Sequence, residues 1–181
     1  MLKLLVGLVT VVYPFLVYVA LDSVQPRYLA LLLAGVFALR WLQQGGTARL
    51  LGAYWLAPLA LLLLVAVVLS NQGGLLLAYP VLVSALFFAV FCHSLLYPPS
   101  VAERIARLSE PDLSPRGVRY TRRVTQVWCG FFLANGMAAA ATALSGDRWL
   151  WSLYNGFISY VLMAVLMGSE WLVRRRVRRS L

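Results

Sequence analysis

At 181 residues, 62% hydrophobic and only 12% charged, the chain lies far from the roughly half apolar, one-quarter charged make-up of a soluble domain. That composition excludes a water-soluble globule and points to an all-α integral membrane protein, because a helix satisfies its own backbone groups in lipid. The net charge of +10 comes with no nucleic-acid-binding motif or soluble domain, so it points to anionic headgroups or an acidic partner, and no nucleic acid is expected.

Six apolar runs follow in chain order, at residues 4–21, 28–42, 50–70, 75–96, 125–144 and 149–173. A helix rises about 1.5 Å per residue, so runs of about 18 residues or more match the hydrocarbon thickness of a bilayer. The run at 28–42 reaches only roughly 22 Å and admits a re-entrant hairpin as well as a crossing. Short polar punctuation separates the runs as "DSVQPR", "QQGGTAR", "NQGG" and "SGDR", and the long segment 97–124 lies between the fourth and fifth. Lys3 ahead of the first run imitates a secretory signal, but "VYVALDS" offers a cleavage site poorly, so the run is read as a span. The expectation is a single transmembrane domain over 1–181: a polytopic six-helix bundle with a cytoplasmic amphipathic helical loop at 97–124.

Charge placement orients it. With six spans and both termini cytoplasmic, Lys3, Arg40, Arg49, the arginines of 97–124 and Arg174, Arg175, Arg176, Arg178 and Arg179 share one face, leaving Arg27 and Arg148 outside. That is the bias expected of cytoplasmic loops. A five-span reading would move Lys3 outside and put Arg27 on the same face as Arg49.

The loop has its own start signals. Pro98 and Pro99 stop the fourth span, and Ser100 with Glu103 forms a capping box that starts a helix at Val101. At about 100° per residue Val101, Ile105 and Leu108 share a face, with Glu103, Arg104 and Arg107 around the rest, which predicts a helix lying on the membrane. "EPDLSP" breaks it, and Ser114 with Pro115 starts another that carries Arg116, Arg119, Arg122 and Arg123 on one stripe and runs on into the fifth span. Arg104, Arg107, Arg116, Arg119, Arg122 and Arg123 therefore form one cytoplasmic patch. It suits ordinary headgroup contact, or the docking of an acidic protein or a phosphorylated lipid.

Polar residues within the spans are few. Asn135 in "LANGMA" and Asn155 in "LYNGFI" lie in consecutive antiparallel spans at similar depth, which predicts an Asn-to-Asn hydrogen bond, with Gly136 and Gly156 permitting close backbone approach. A substrate contact is the alternative. His93 beside Cys92, with Gln126 and Cys129 at similar depth on the next span, makes a poor metal site, so no metal and no cofactor are expected. No disulfide framework is expected of the two cysteines. Glu170 and Arg174 make an i, i+4 pair at the last exit. "YPFLVYVA" at 13–20 and "YPVLVSAL" at 79–86 share Tyr, Pro, Leu and Val at equal offsets three spans apart, the spacing of an inverted repeat, although the remaining spans do not align. No catalytic pattern stands out, since Glu103, Glu110 and Asp112 read as acids in a water-exposed loop.

The run "PPSVAERIARL…PDLSP…VRYTRRVTQVWCGFFLANG" followed by "WLWSLYNGFISYVLMAVLMGSEWLVRRRVRR" resembles a family of uncharacterised bacterial inner-membrane proteins, some of which bear a mistaken gyrase label. The resemblance covers about residues 98–179; the N-terminal half matches in hydrophobicity alone. Members of that family are often encoded beside fatty-acid-synthase-like enzymes, acyl carrier proteins, acyltransferases and a lipid exporter, in clusters of the aryl polyene type. The resemblance implies a multi-pass inner-membrane accessory protein in the synthesis or export of an acyl-derived envelope lipid, and it supplies no catalytic residues. Its partners would be membrane lipids and an acyl carrier protein or membrane-associated acyltransferase, drawn to the arginine patch by opposite charge. The alternatives are a small lipid or metabolite transporter built around Asn135 and Asn155, and a membrane acyl-transfer enzyme using His93.

Overall fold

The structure is a computed structural model that describes residues 14–15, 17–20, 24–42 and 56–179. Among these residues the chain is all-helical: α1 (Pro26–Leu42), α2 (Leu56–Ser70), a 3₁₀ segment (Gly73–Ala78) leading into α3 (Tyr79–Leu96), α4 (Val101–Arg107), α5 (Pro115–Leu144), α6 (Arg148–Leu153), a π turn (Tyr154–Ile158) and α7 (Ser159–Arg179). Three continuous helical stretches, Gly73–Leu96, Pro115–Leu144 and Arg148–Arg175, are long and apolar enough to cross a membrane. The first expected span lies mostly outside the described residues, as do the start of the third and the first copy's Tyr13 in the paired proline motif.

α1 and α2 pack through a regular apolar seam. Leu29, Ala30 and Leu33 of α1 meet Ala60, Leu64 and Val67 of α2, spacings of three and four residues that keep each set on one helical face. "NQGG" ends α2 by a specific device. Asn71 adopts a left-handed backbone with φ 55°, the conformation that commonly closes a helix, and its Oδ1 accepts the Arg27 backbone N–H at 3.2 Å. One residue thus terminates α2 and satisfies a donor in the first turn of α1.

Pro80 occupies the first turn of α3, where its missing N–H costs nothing, so it starts this helix instead of kinking it. Trp151 is fully buried against the α1–α2 core. Its Nε1 donates to the Leu77 carbonyl at 3.1 Å, tying α6 to the 3₁₀ segment. The turn "SGDR" is made by Gly146 at φ 75° and by Asp147, whose Oδ1 caps α6 through the Leu150 N–H at 3.0 Å.

α3 and α5 form the most extensive helix pair. Phe91, Cys129 and Phe132 fill their interface, where Phe87 stacks on Phe132 at 5.1 Å and Phe91 meets the same ring edge-on at 5.1 Å. Gly136 lets the helices close: a Cβ there would stand 3.1 Å from the Ser84 Cβ.

α5 is a single helix of 30 residues. At about 1.5 Å per residue it is roughly 45 Å long, well over the roughly 30 Å of a hydrocarbon core. The apolar length starting near Thr125 is long enough for a crossing by itself, and the first turns, with their arginines, are length in addition to it.

Candidate functional site

The N-terminal end of α5 is set by its cap. Ser114 Oγ accepts the Gly117 N–H at 3.2 Å and Pro115 follows it, the arrangement read from the sequence. Arg116, Arg119, Arg122 and Arg123 are all exposed along the first nine residues, while Thr121 and Thr125 on the same helix are buried.

α4 differs from the sequence expectation. Ser100 Oγ accepts the Glu103 N–H at 3.4 Å, which is half of the capping box. The Glu103 carboxylate does not return to Ser100; its Oε1 accepts both Nε and an NH2 group of Arg107, at 3.0 and 2.8 Å. Glu103 is only 7% exposed, so it is a buried acid and not a solvated loop residue. The buried residues of the helix are Val101, Glu103 and Ala106, whereas Ile105 and Leu108 are exposed. The expected Val101, Ile105, Leu108 face is therefore replaced. The reason is a set of polar anchors at the helix start: the Val101 N–H donates to Ser94 Oγ of α3 at 3.1 Å, and the Ala102 N–H to Thr125 Oγ1 of α5 at 3.3 Å. Two orphan helix donors met from outside fix the rotation of so short a helix, and small Ala102 and Ala106 allow it close to its neighbours.

The six patch arginines consequently fall into two sets. Arg104 donates from Nε to the Pro99 carbonyl at 2.9 Å, and Arg107 also reaches the Pro111 carbonyl at 2.8 Å, so these two hold the loop in shape. The four on α5 face outward.

Next to them lies a cleft of about 70 Å³, open to solvent, between α4, the turn before Ser114, the start of α5 and the last turns of α7. Glu110, Tyr120, Glu170 and Arg174 are on its wall. Tyr120 OH donates to the Glu170 carbonyl at 3.3 Å and approaches its carboxylate at 3.4 Å, joining α5 to α7. One turn away, the Arg175 guanidinium sits 3.6 Å over the Trp171 ring.

Deeper in the spans, Asn135 and Asn155 are both buried but do not bond each other. Asn135 Nδ2 donates to Ser84 Oγ at 3.1 Å, and its Oδ1 accepts from Tyr154 OH at 3.1 Å, so one side chain links three helical segments. Asn155 Nδ2 donates to Thr142 Oγ1 at 3.2 Å and to the Trp151 carbonyl at 2.9 Å. Asn155 Oδ1 and Ser152 Oγ are buried with no hydrogen-bond partner. Gly156, in the π turn, faces the Phe15 ring and not Gly136. The π turn, in which the Ser159 N–H reaches back to the Tyr154 carbonyl, changes the helix phase at this point and so the direction of Asn155 within it.

His93 is exposed and lies against Tyr97, ring centroids 4.7 Å apart, and Gln126 is exposed on α5. Cys129 is buried and Cys92 half-buried, and both thiols are free. No group of three His, Cys, Asp or Glu side chains able to hold a metal occurs among the described residues. Ser84, Tyr154, Thr142 and the buried role of Glu103 were not singled out by the sequence; Ser84, Tyr154 and Thr142 stand 13 to 51 residues from their asparagine partners, separations that leave no local pattern. Comparison of the chain with family models, curated proteins and solved structures found no match.

Proposed function

We propose that the chain is a six-span accessory protein of a bacterial inner membrane, with both termini cytoplasmic, that docks an acidic partner during synthesis or export of an acyl-derived envelope lipid. The observation that carries the reading is the outward set Arg116, Arg119, Arg122 and Arg123 on the rigid N-terminal end of α5. Four guanidiniums on one helix that continues into the bilayer form a fixed cationic surface, suited to steering and orienting an acidic protein. The family resemblance names an acyl carrier protein or a membrane-associated acyltransferase as that partner. Replacing the four arginines by glutamine should weaken co-purification with an acyl carrier protein and leave membrane insertion intact. Unchanged co-purification would remove the docking role.

A second reading, transport of a small lipid or metabolite, draws on the buried polar groups between α3, α5 and the π turn, where Ser152 Oγ and Asn155 Oδ1 have no partner. Reconstituted liposomes separate the two, because a scaffold moves no lipid.

A further inference from the structure

The cleft beside the arginines inverts the charge of its surroundings. The chain has six acidic residues in all, and two of them, Glu110 and Glu170, are on this one wall together with a single guanidinium, Arg174. None of the four outward arginines of α5 lines it. A purely anionic ligand would meet two carboxylates at close range, and a purely cationic one would meet Arg174 and the cationic face around the mouth. The charge pattern fits a ligand that carries both signs a few ångströms apart.

Position narrows the chemistry further. Glu170 and Arg174 lie at the end of the third crossing stretch, and Tyr120 stands just before the apolar length of α5, so the cleft opens where headgroups lie. Ala106 and Leu113 add apolar wall beside the charges. We infer that this cleft binds the headgroup of a phospholipid bearing a primary ammonium and a phosphate. The ammonium N–H groups meet the Glu170 and Glu110 carboxylates, the phosphate meets Arg174, and the apolar wall takes the glycerol end. Both charged contacts are of the charge-assisted kind.

The probe is phosphatidylethanolamine. The full-length chain is placed in nanodiscs of equal parts phosphatidylethanolamine, phosphatidylglycerol and phosphatidylcholine, and the lipid retained after release is counted by native mass spectrometry. Phosphatidylethanolamine should be retained about tenfold over either competitor, the discrimination that one charge-assisted hydrogen bond corresponds to. Glu170→Gln should remove most of that preference. Glu110→Gln, in an exposed turn, should lower it in the same direction. The variant with all four α5 arginines changed to glutamine should keep it, which separates this site from the docking surface proposed above. Equal retention of the three lipids by the unaltered chain overturns the inference, and so does a preference that survives both glutamate substitutions.

Discussion

α4 and the first turns of α5 carry the same kind of sequence, arginines three or four positions apart behind a serine cap, yet the structure uses them in opposite ways. In α4 the arginines fold inward, onto Glu103 and onto the Pro99 and Pro111 carbonyls. On α5 they face outward. The difference lies in what each helix has to satisfy. α4 is seven residues long, too short to stand without tertiary anchors, and it has a carboxylate at the position that packs inward, so Arg107 is needed to compensate a buried charge. α5 is anchored by its own long apolar continuation, and nothing within it draws its arginines inward. A regular spacing of cations therefore does not by itself mark a binding surface; the neighbouring acids and carbonyls decide.

Removing the acid should have the largest effect. Glu103→Ala leaves Arg107 without its partner and empties a buried position, and unfolding in mild detergent should show a loss of about 1–3 kcal/mol. That is below the roughly 3–5 kcal/mol of a fully buried pair, because the Arg107 side chain remains 40% exposed. Ser94→Ala comes next, at about 1–2 kcal/mol by the same measurement, since it strands the Val101 N–H in a buried setting. If Ser94→Ala were silent, the anchors proposed to set the rotation of α4 would be wrong. Arg107→Gln should cost about 1–2 kcal/mol, because it leaves the buried Glu103 carboxylate without its guanidinium. The four-arginine variant of α5 should change stability by no more than about 0.5 kcal/mol, as exposed substitutions do. A large loss in that last variant would mean that the outward arginines are structural and would erase the contrast with α4.

The two buried asparagines offer a smaller contrast. Asn135 has both ends of its amide matched, to Ser84 and Tyr154, while Asn155 keeps an unmatched oxygen. A double-mutant cycle on Asn135 and Ser84 should return a coupling of about 0.6 kcal/mol, the size typical of hydrogen bonds between membrane helices. A coupling of zero would show that the aromatic packing at Phe87, Phe91 and Phe132 alone holds α3 against α5.

Much of this was legible in the residues themselves. Apolar run lengths, the stops at Pro98 and Pro99, the start at Ser114 and Pro115, the break at "SGDR" and the continuity of α5 follow from local rules of helix length, capping and solvation, which act within a few residues and so leave a pattern in the chain. Tertiary packing alone decided which residues α4 buries, that Glu103 lies inside, that His93 and Gln126 are exposed, and that Asn135 meets Ser84 and Tyr154 and not Asn155. The physical reason is common to all of these: a short helix has too little apolar area to choose its own rotation, and a π turn shifts the phase of the helix that holds it. A few hydrogen bonds from distant segments then set orientations that no periodicity encodes.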